Sequence, residues 1–234
     1  MRTAFVFVLA LTLVACGGQQ QSGRAASTPP APPGQPAQPA QPAQPAPPAP
    51  AAKPRIVFLG DSLTAGLGLS PDQSFPSLIA KKLTDQGLDY EVVNAGVSGD
   101  TSAGGLRRLD WSLEGDVRVL IVALGGNDGL RGLPPKDLKD NLATIVKGAK
   151  AKGITVIVAG MEAPPNFGDD YTRAFRSVYT DVAKQYQVKL IPFLLEGVAG
   201  DPSLNQSDGI HPNVRGAQIV ADHVWAELVK TLSP

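Results

Sequence analysis

Two short strings hold side chains able to do nucleophilic chemistry together. Gly60-Asp61-Ser62-Leu63 follows the apolar run Ile56-Val57-Phe58-Leu59, and Asp208-Gly209-Ile210-His211 lies near the C-terminus of the 234-residue chain. They supply a hydroxyl, an imidazole and a carboxylate. A serine hydroxyl is a weak nucleophile until a neighbouring base takes its proton, and imidazole is the side chain best suited to do so near neutral pH. Asp208 precedes His211 by three residues, close enough to reach the second ring nitrogen if the loop turns. Ser62, His211 and Asp208 therefore read as one set, with ester or thioester cleavage as its chemistry. Asn127, in Gly125-Gly126-Asn127-Asp128, has an amide donor suited to an oxyanion. Gly99 can offer a backbone N–H that no side chain shields.

These residues need elements that bring them together. Apolar runs at 55–60, 90–94, 117–124, 154–160 and 188–192 are rich in Val, Ile and Leu and short enough for buried parallel strands. Helical patterns separate them. Over 135–152, Leu138, Leu142, Ile145, Val146 and Ala149 share one face, and Val220, Val224, Leu228 and Leu232 repeat the pattern near the end. Alternation of strand and helix predicts an α/β fold with a parallel sheet, in which ligands sit beyond the C-terminal strand ends. Ser62, Gly99 and Asn127 each follow a strand candidate. A turn after the first strand puts Ser62 at a helix start, whose positive end favours charge developing there.

Four blocks occur in order: Gly-Asp-Ser-Leu at 60–63, Ser-Gly-Asp-Thr at 98–101, Gly-Gly-Asn-Asp at 125–128 and Asp-Gly-Ile-His-Pro-Asn at 208–213. The set resembles the SGNH hydrolases, also called GDSL esterases, across essentially the whole domain. The longer strings 124–132 and 207–213 are similar to the bacterial thioesterase I, lysophospholipase L1 and arylesterase branch. The resemblance implies a three-layer, flavodoxin-like α/β fold with five parallel strands in the order 2-1-3-4-5. It implies Ser62 as nucleophile, His211 as general base and Asp208 as its orienting partner. The oxyanion donors would be the Ser62 N–H, the Gly99 N–H and the Asn127 side chain. It also implies that 129–135 and 161–168 line the acyl or leaving-group pocket, where Met161, Pro164, Pro165 and Phe167 suit acyl chains or aryl groups. The same residues could equally fill the edge of the core.

Other polar residues near these blocks have plainer readings. Asp61 caps the helix or turn that follows, because adjacent side chains diverge. Asp100 and Thr101 start the next helix, Asp128 is structural, and His223 is a packing or surface residue of the last helix. Gly66-Leu67-Gly68 lacks the third glycine of a dinucleotide fingerprint. An α/β-hydrolase has the same Ser, Asp, His order, but its elbow needs glycine where Thr64 stands. Two alternatives stay open: a deacetylase of envelope carbohydrates with the same fold, and a lipid-anchored binding lipoprotein without catalysis. The intact Ser, Gly, Asn and His set speaks against the second.

The first 53 residues have a different character. Met1-Arg2 opens an apolar stretch that reaches Ala15, with Cys16 next. This is the layout of a secretion signal. Leu13-Val14-Ala15-Cys16 also resembles a bacterial lipobox, which implies cleavage before Cys16 and lipid attachment to it. Residues 1–15 are thus expected to be a lipoprotein signal peptide. The 16–53 segment is expected to be a lipidated Cys followed by a disordered tether rich in Pro, Ala and Gln, and 54–234 the hydrolase domain. Gln-Pro-Ala repeats at 35–46 favour extended polyproline II. At about 3.1 Å per residue the tether spans roughly 100 Å. Gly17 lacks the acidic character of an inner-membrane retention signal, so the expected location is the outer membrane facing the periplasm, with a periplasmic or secreted protein as the alternative. The membrane partner is reached through Cys16, and the other partners are small ester or acyl substrates. Cys16 is the one cysteine of the chain, which excludes an internal disulfide or a multi-cysteine metal site. No cofactor or metal is expected. Residues 1–53 hold three of the 21 basic side chains and no acidic one, which leaves residues 54–234 with a formal charge of −3. That balance argues against a nucleic-acid partner.

Overall fold

The computed structural model describes residues 53–232. The expected signal at 1–15, Cys16 and nearly all of the expected tether at 16–53 lie outside the described residues. Five parallel strands form one sheet: β1 (Arg55–Gly60), β2 (Glu91–Gly96), β3 (Val117–Ala123), β4 (Thr155–Ala159) and β5 (Lys189–Ile191), in the spatial order β2-β1-β3-β4-β5. This is the expected α/β architecture and strand order. The central strands β1 and β3 are nearly unbroken apolar runs because helices cover both faces, and Ile56 to Leu59 and Leu120 to Val122 are fully buried.

Long helices make the outer layers. α2 (Phe75–Asp85) packs against α8 (Val214–Leu232), while α6 (Pro135–Ala151) packs between α3 (Ser102–Arg107) and α7 (Asp169–Tyr186). Right-handed crossovers explain the split. The chain moves outward from β1 to β2, then reverses over β1 to β3 and onward, so the following helices land on the opposite face. The predicted faces are buried, with Leu138, Leu142, Ile145, Val146 and Ala149 on α6 and Val220, Val224 and Leu228 on α8, while Leu232 at the end of that face is half-buried. None of the described helices is long and apolar enough to cross a membrane.

Strand limits differ slightly from the apolar runs. The run expected at 90–94 continues to Gly96, because Asn94, Ala95 and Gly96 stay in register with Phe58, Leu59 and Gly60. Backbone pairing, not hydrophobicity, ends an edge strand. The run at 188–192 shortens to Lys189–Ile191 because Pro192 has no N–H to continue the ladder. The runs at 117–124 and 154–160 end one residue early, at Ala123 and Ala159.

The reversal of strand order between β1 and β3 opens the crevice where ligands bind in such sheets. Short helices begin there: α1 (Ser62–Ala65) after β1 and α5 (Gly126–Leu130) after β3. A further short helix, α4 (Leu109–Ser112), lies between α3 and β3. The turn into α5 is tight. Gly125 has φ +115, and a Cβ there would lie 2.0 Å from the Tyr179 hydroxyl oxygen. That hydroxyl, buried on α7, donates to the Leu124 carbonyl at 3.1 Å. A methyl at 125 thus meets both a left-handed backbone and a fixed oxygen. Gly125→Ala is expected to cost about 2 kcal/mol or more of stability. The cost should be smaller in a Tyr179→Phe background, which urea denaturation of the four proteins would reveal. Equal costs in both backgrounds would remove the hydroxyl contact as the cause.

Candidate active site

Ser62 is the first residue of α1, and Asp61 is its N-cap. The Asp61 side chain accepts from the Leu63 N–H at 3.0 Å, so it caps the helix as the sequence suggested. The Ser62 N–H, at the first helical position, has no intrahelical acceptor by geometry.

The C-terminal string reaches the same point from the far end of the chain. His211 Nε2 lies 2.8 Å from Ser62 Oγ, and His211 Nδ1 lies 2.7 Å from Asp208 Oδ2. The other oxygen of Asp208 accepts the backbone N–H groups of Ile210 and His211, at 2.9 and 3.0 Å. These donors, the two N–H groups first and then the imidazole, hold the Asp208 carboxyl down at about 2. It therefore stays ionised through mild acid, ready to hold the imidazole by its Nδ1–H.

The loop itself is stitched at several points. Asn205 and Pro212 form an antiparallel bridge, and the Gln206 N–H donates to the His211 carbonyl at 2.8 Å. The Gln206 side-chain amide donates to the Leu67 carbonyl at 2.7 Å, tying the imidazole loop to the segment after Ser62. Asn213 caps α8, accepting from the N–H groups of Arg215 and Gly216.

The loops after β2 and β3 meet beside Ser62. Asn127 Nδ2 donates to the Asp100 carbonyl at 3.0 Å and to Asp61 Oδ2 at 3.3 Å. Gly99 has φ +84, a conformation that favours glycine. Its carbonyl accepts from Arg131 at 2.9 Å, while the Asp100 N–H goes to the Val97 carbonyl. Gly99 stands at the edge of the site; it does not line the main cavity as Ser62, Asn127 and His211 do.

Most residues with plainer expected roles have them; Asp100 is the exception, since it does not cap α3 and its carboxylate accepts from Arg108 instead. Thr101 caps α3, accepting from the Gly104 N–H. Asp128 is 2 % exposed and accepts from both the N–H and the hydroxyl of Ser102, which links α5 to α3. His223 is half-buried on α8, away from the strand ends. Sequence reasoning missed three supports: Gln206, Arg131 and Arg108. Arg108 donates to Asp100 Oδ2 and to the carbonyls of Ala95 and Gly60, each at 2.7 Å. An arginine with no motif around it carries no local signal of such a role.

A cavity of about 520 Å³ opens at Ser62 and His211. Met161, Ala163, Pro164 and Pro165 line it, as does Leu130, so both segments implied by the resemblance contribute. Phe167 does not line it; its ring packs on Tyr171 at 5.2 Å. Phe193, Leu195 and Ile210 complete the apolar wall and were not anticipated. A narrow apolar crevice of about 10 Å³ lies beside Ser62 and His211, bordered by Leu67, Leu69 and Phe75.

Asp61 is the unusual charge. It is 2 % exposed, and among the described residues no lysine or arginine pairs with it. Burial pushes its carboxyl up to about 6, although the Leu63 N–H, Asn127 and His211 pull the other way. Because the folded value is raised, this group's stabilising contribution is complete below the ordinary carboxylate range and is lost as pH rises through about 6. Asp61→Asn cannot titrate. Its stability relative to wild type is expected to improve by about 2 kcal/mol between about pH 4 and pH 7.5. Urea unfolding of both proteins across that range checks the sign, and a constant difference would contradict it.

Comparison with known proteins identifies the family. Residues 58–219 match the model of the GDSL-like Lipase/Acylhydrolase family. Esterase TesA of Pseudomonas aeruginosa is 46% identical over 179 residues, covering 76% of this chain and 89% of that protein. The Thioesterase 1/protease 1/lysophospholipase L1 of Escherichia coli K12 is 39% identical over 185 residues, covering 79% and 86%. A crystal structure of TesA superposes with a TM-score of 0.73 at 45% identity, covering 77% of this chain and 100% of that one. On sequence and fold alike, this chain belongs to the GDSL-like Lipase/Acylhydrolase family.

Proposed function

We propose that this protein is a serine esterase that cleaves carboxylic esters through an acyl-enzyme on Ser62. The observation that carries the proposal is the continuous relay at the cavity mouth, with Ser62 Oγ 2.8 Å from His211 Nε2 and His211 Nδ1 2.7 Å from Asp208. His211 takes the hydroxyl proton as Ser62 Oγ attacks the ester carbonyl carbon. The carbonyl oxygen becomes an anion, met by the Ser62 N–H, the Gly99 N–H and the Asn127 amide. Collapse of this intermediate breaks the bond to the alcohol oxygen, which leaves with the proton held by His211. A water molecule then attacks the acyl-enzyme by the same route, releasing the acid and restoring the Ser62 hydroxyl. Asp208 holds the imidazole in the tautomer the cycle needs and stabilises its charged form.

The substrate class follows from the wall of the cavity. Leu130, Met161, Pro164, Pro165 and Phe193 offer apolar surface next to the reacting oxygen, in a volume suited to a medium acyl chain or an aryl group. Thioesters and lysophospholipids present the same acyl carbonyl, and the names of the relatives support their inclusion. In this reading the domain works in the bacterial envelope, held through a lipidated Cys16 by the 16–53 tether. The Leu13-Val14-Ala15-Cys16 string supports that attachment.

Ser62→Ala is expected to fold normally, to lose more than 99 % of p-nitrophenyl ester hydrolysis and to escape labelling by a fluorophosphonate probe, as about 10³-fold or larger losses are usual for a nucleophile. Substantial residual turnover would remove Ser62 from the mechanism. Expression of the full chain in a Gram-negative host should give detergent-extractable enzyme that incorporates labelled fatty acid, and Cys16→Ser should remove both properties. Absence of label in the parent chain would overturn the anchor and leave the hydrolytic chemistry untouched.

A further inference from the structure

Asn127 has an amide whose two ends differ chemically but barely differ in shape. Only the nitrogen can donate to an oxyanion; the oxygen in its place would repel one. Something must therefore select the orientation. The amide nitrogen lies between two groups that can only accept: the Asp100 carbonyl at 3.0 Å and, at 3.3 Å, the ionised Oδ2 of Asp61. A flipped amide would set its oxygen against both acceptors. Asp61 is fixed for this task, because its other oxygen is held by the Leu63 N–H at 3.0 Å and the residue is almost fully buried. Asp100 is fixed in turn by Arg108 at 2.7 Å.

We propose that Asp61 is a positioning residue for the reaction: together with the Asp100 carbonyl, its carboxylate locks the Asn127 amide with the nitrogen toward the forming oxyanion. The proposal rests on the esterase reading above. It gives Asp61 a second role besides capping α1, and it accounts for a buried carboxylate kept without a cationic partner beside a site where negative charge develops. The longer of the two bonds, to Asp61, is the one that yields as the nitrogen shares a hydrogen with the oxyanion.

Two substitutions separate the roles. Asp61→Asn and Asp61→Ser both keep an oxygen able to cap the Leu63 N–H. The first presents an amide that tolerates a flipped Asn127, and the second is too short to reach it. Each is combined with Asn127→Ala, and kcat and KM are measured with a p-nitrophenyl ester for all five variants beside the wild type, after circular dichroism has verified folding. Asn127→Ala alone is expected to lower kcat about a hundredfold with KM changed less than about twofold. Either Asp61 variant alone should lower kcat about tenfold or more, and less than about twofold further in the Asn127→Ala background. Equal losses in both backgrounds would mean that Asp61 acts only through the helix cap. An Asp61→Asn enzyme with wild-type kcat would also overturn the proposal. If Asn127→Ala itself kept full kcat, the oxyanion role of Asn127 would fall, and the proposal with it, while Ser62→Ala would still report on the nucleophile.

Discussion

A single guanidinium joins the pieces that carry the chemistry. Parallel strands end with carbonyls that point out of the ladder and need donors, and here the last carbonyls of two neighbouring strands are close together. Arg108 answers both, donating to Gly60 at the end of β1 and Ala95 near the end of β2, while its third nitrogen takes the Asp100 carboxylate. The Gly60 carbonyl also accepts the Val97 N–H at 3.0 Å. The chain leaves β1 for Ser62 and β2 for Gly99 from these fixed points. A planar fork with five N–H donors suits the arrangement in a way that a lysine ammonium does not. Most of the guanidinium is shielded from solvent, with a side-chain exposure of 16%, so its hydrogen bonds compete little with water.

The second half of the site arrives by a different route. Ser62 and His211 lie 149 positions apart, and their meeting depends on α8 packing back beside α2. Local bonds then refine what packing makes approximate. Asp208 folds over the backbone of Ile210 and His211, so one carboxylate shapes the turn with one oxygen and orients the imidazole with the other. Gln206 bridges this turn to the Leu67 carbonyl, which ties the imidazole loop to the segment after Ser62.

Two carboxylates near Ser62 have opposite environments. Asp208, at the surface, gathers donors and is held down at about 2, whereas burial pushes Asp61 up to about 6. The pair illustrates how a site assigns different duties to one functional group by hydration and hydrogen bonding. In the proposed reaction an ionised Asp208 balances the charge that appears on the imidazole. Asp61 lies on the amide side, where its buried carboxyl accepts from Asn127. The apolar wall of Met161, Pro164 and Pro165 limits water at the same place and strengthens every nearby electrostatic contact.

Much of this was readable in the chain itself. Apolar runs separated by 3.6-residue patterns pointed to a parallel sheet and to the residues at its strand ends, while the layers and the strand order were implied by the family resemblance. The Gly-Asp-Ser-Leu and Asp-Gly-Ile-His strings held the hydroxyl, imidazole and carboxylate of the proposed relay, because those three types are required together for one reaction. The helix-starting roles of Asp61 and Thr101 were equally local, since a cap depends on the next three residues. The ends of β2 and β5 were less legible, because pairing with a neighbour and the missing N–H of Pro192 decided them. Arg108, Arg131 and Gln206 had no signature at all. Each donates to at least one backbone carbonyl of a distant segment, and a carbonyl is the same in every residue. Types and local spacing were thus determined by sequence. The convergence of Ser62 on His211, the acceptors that flank Asn127 and the cavity wall from 193–195 were decided only by tertiary packing, because hydrogen-bond partners far apart in the chain are chosen by distance and direction in space.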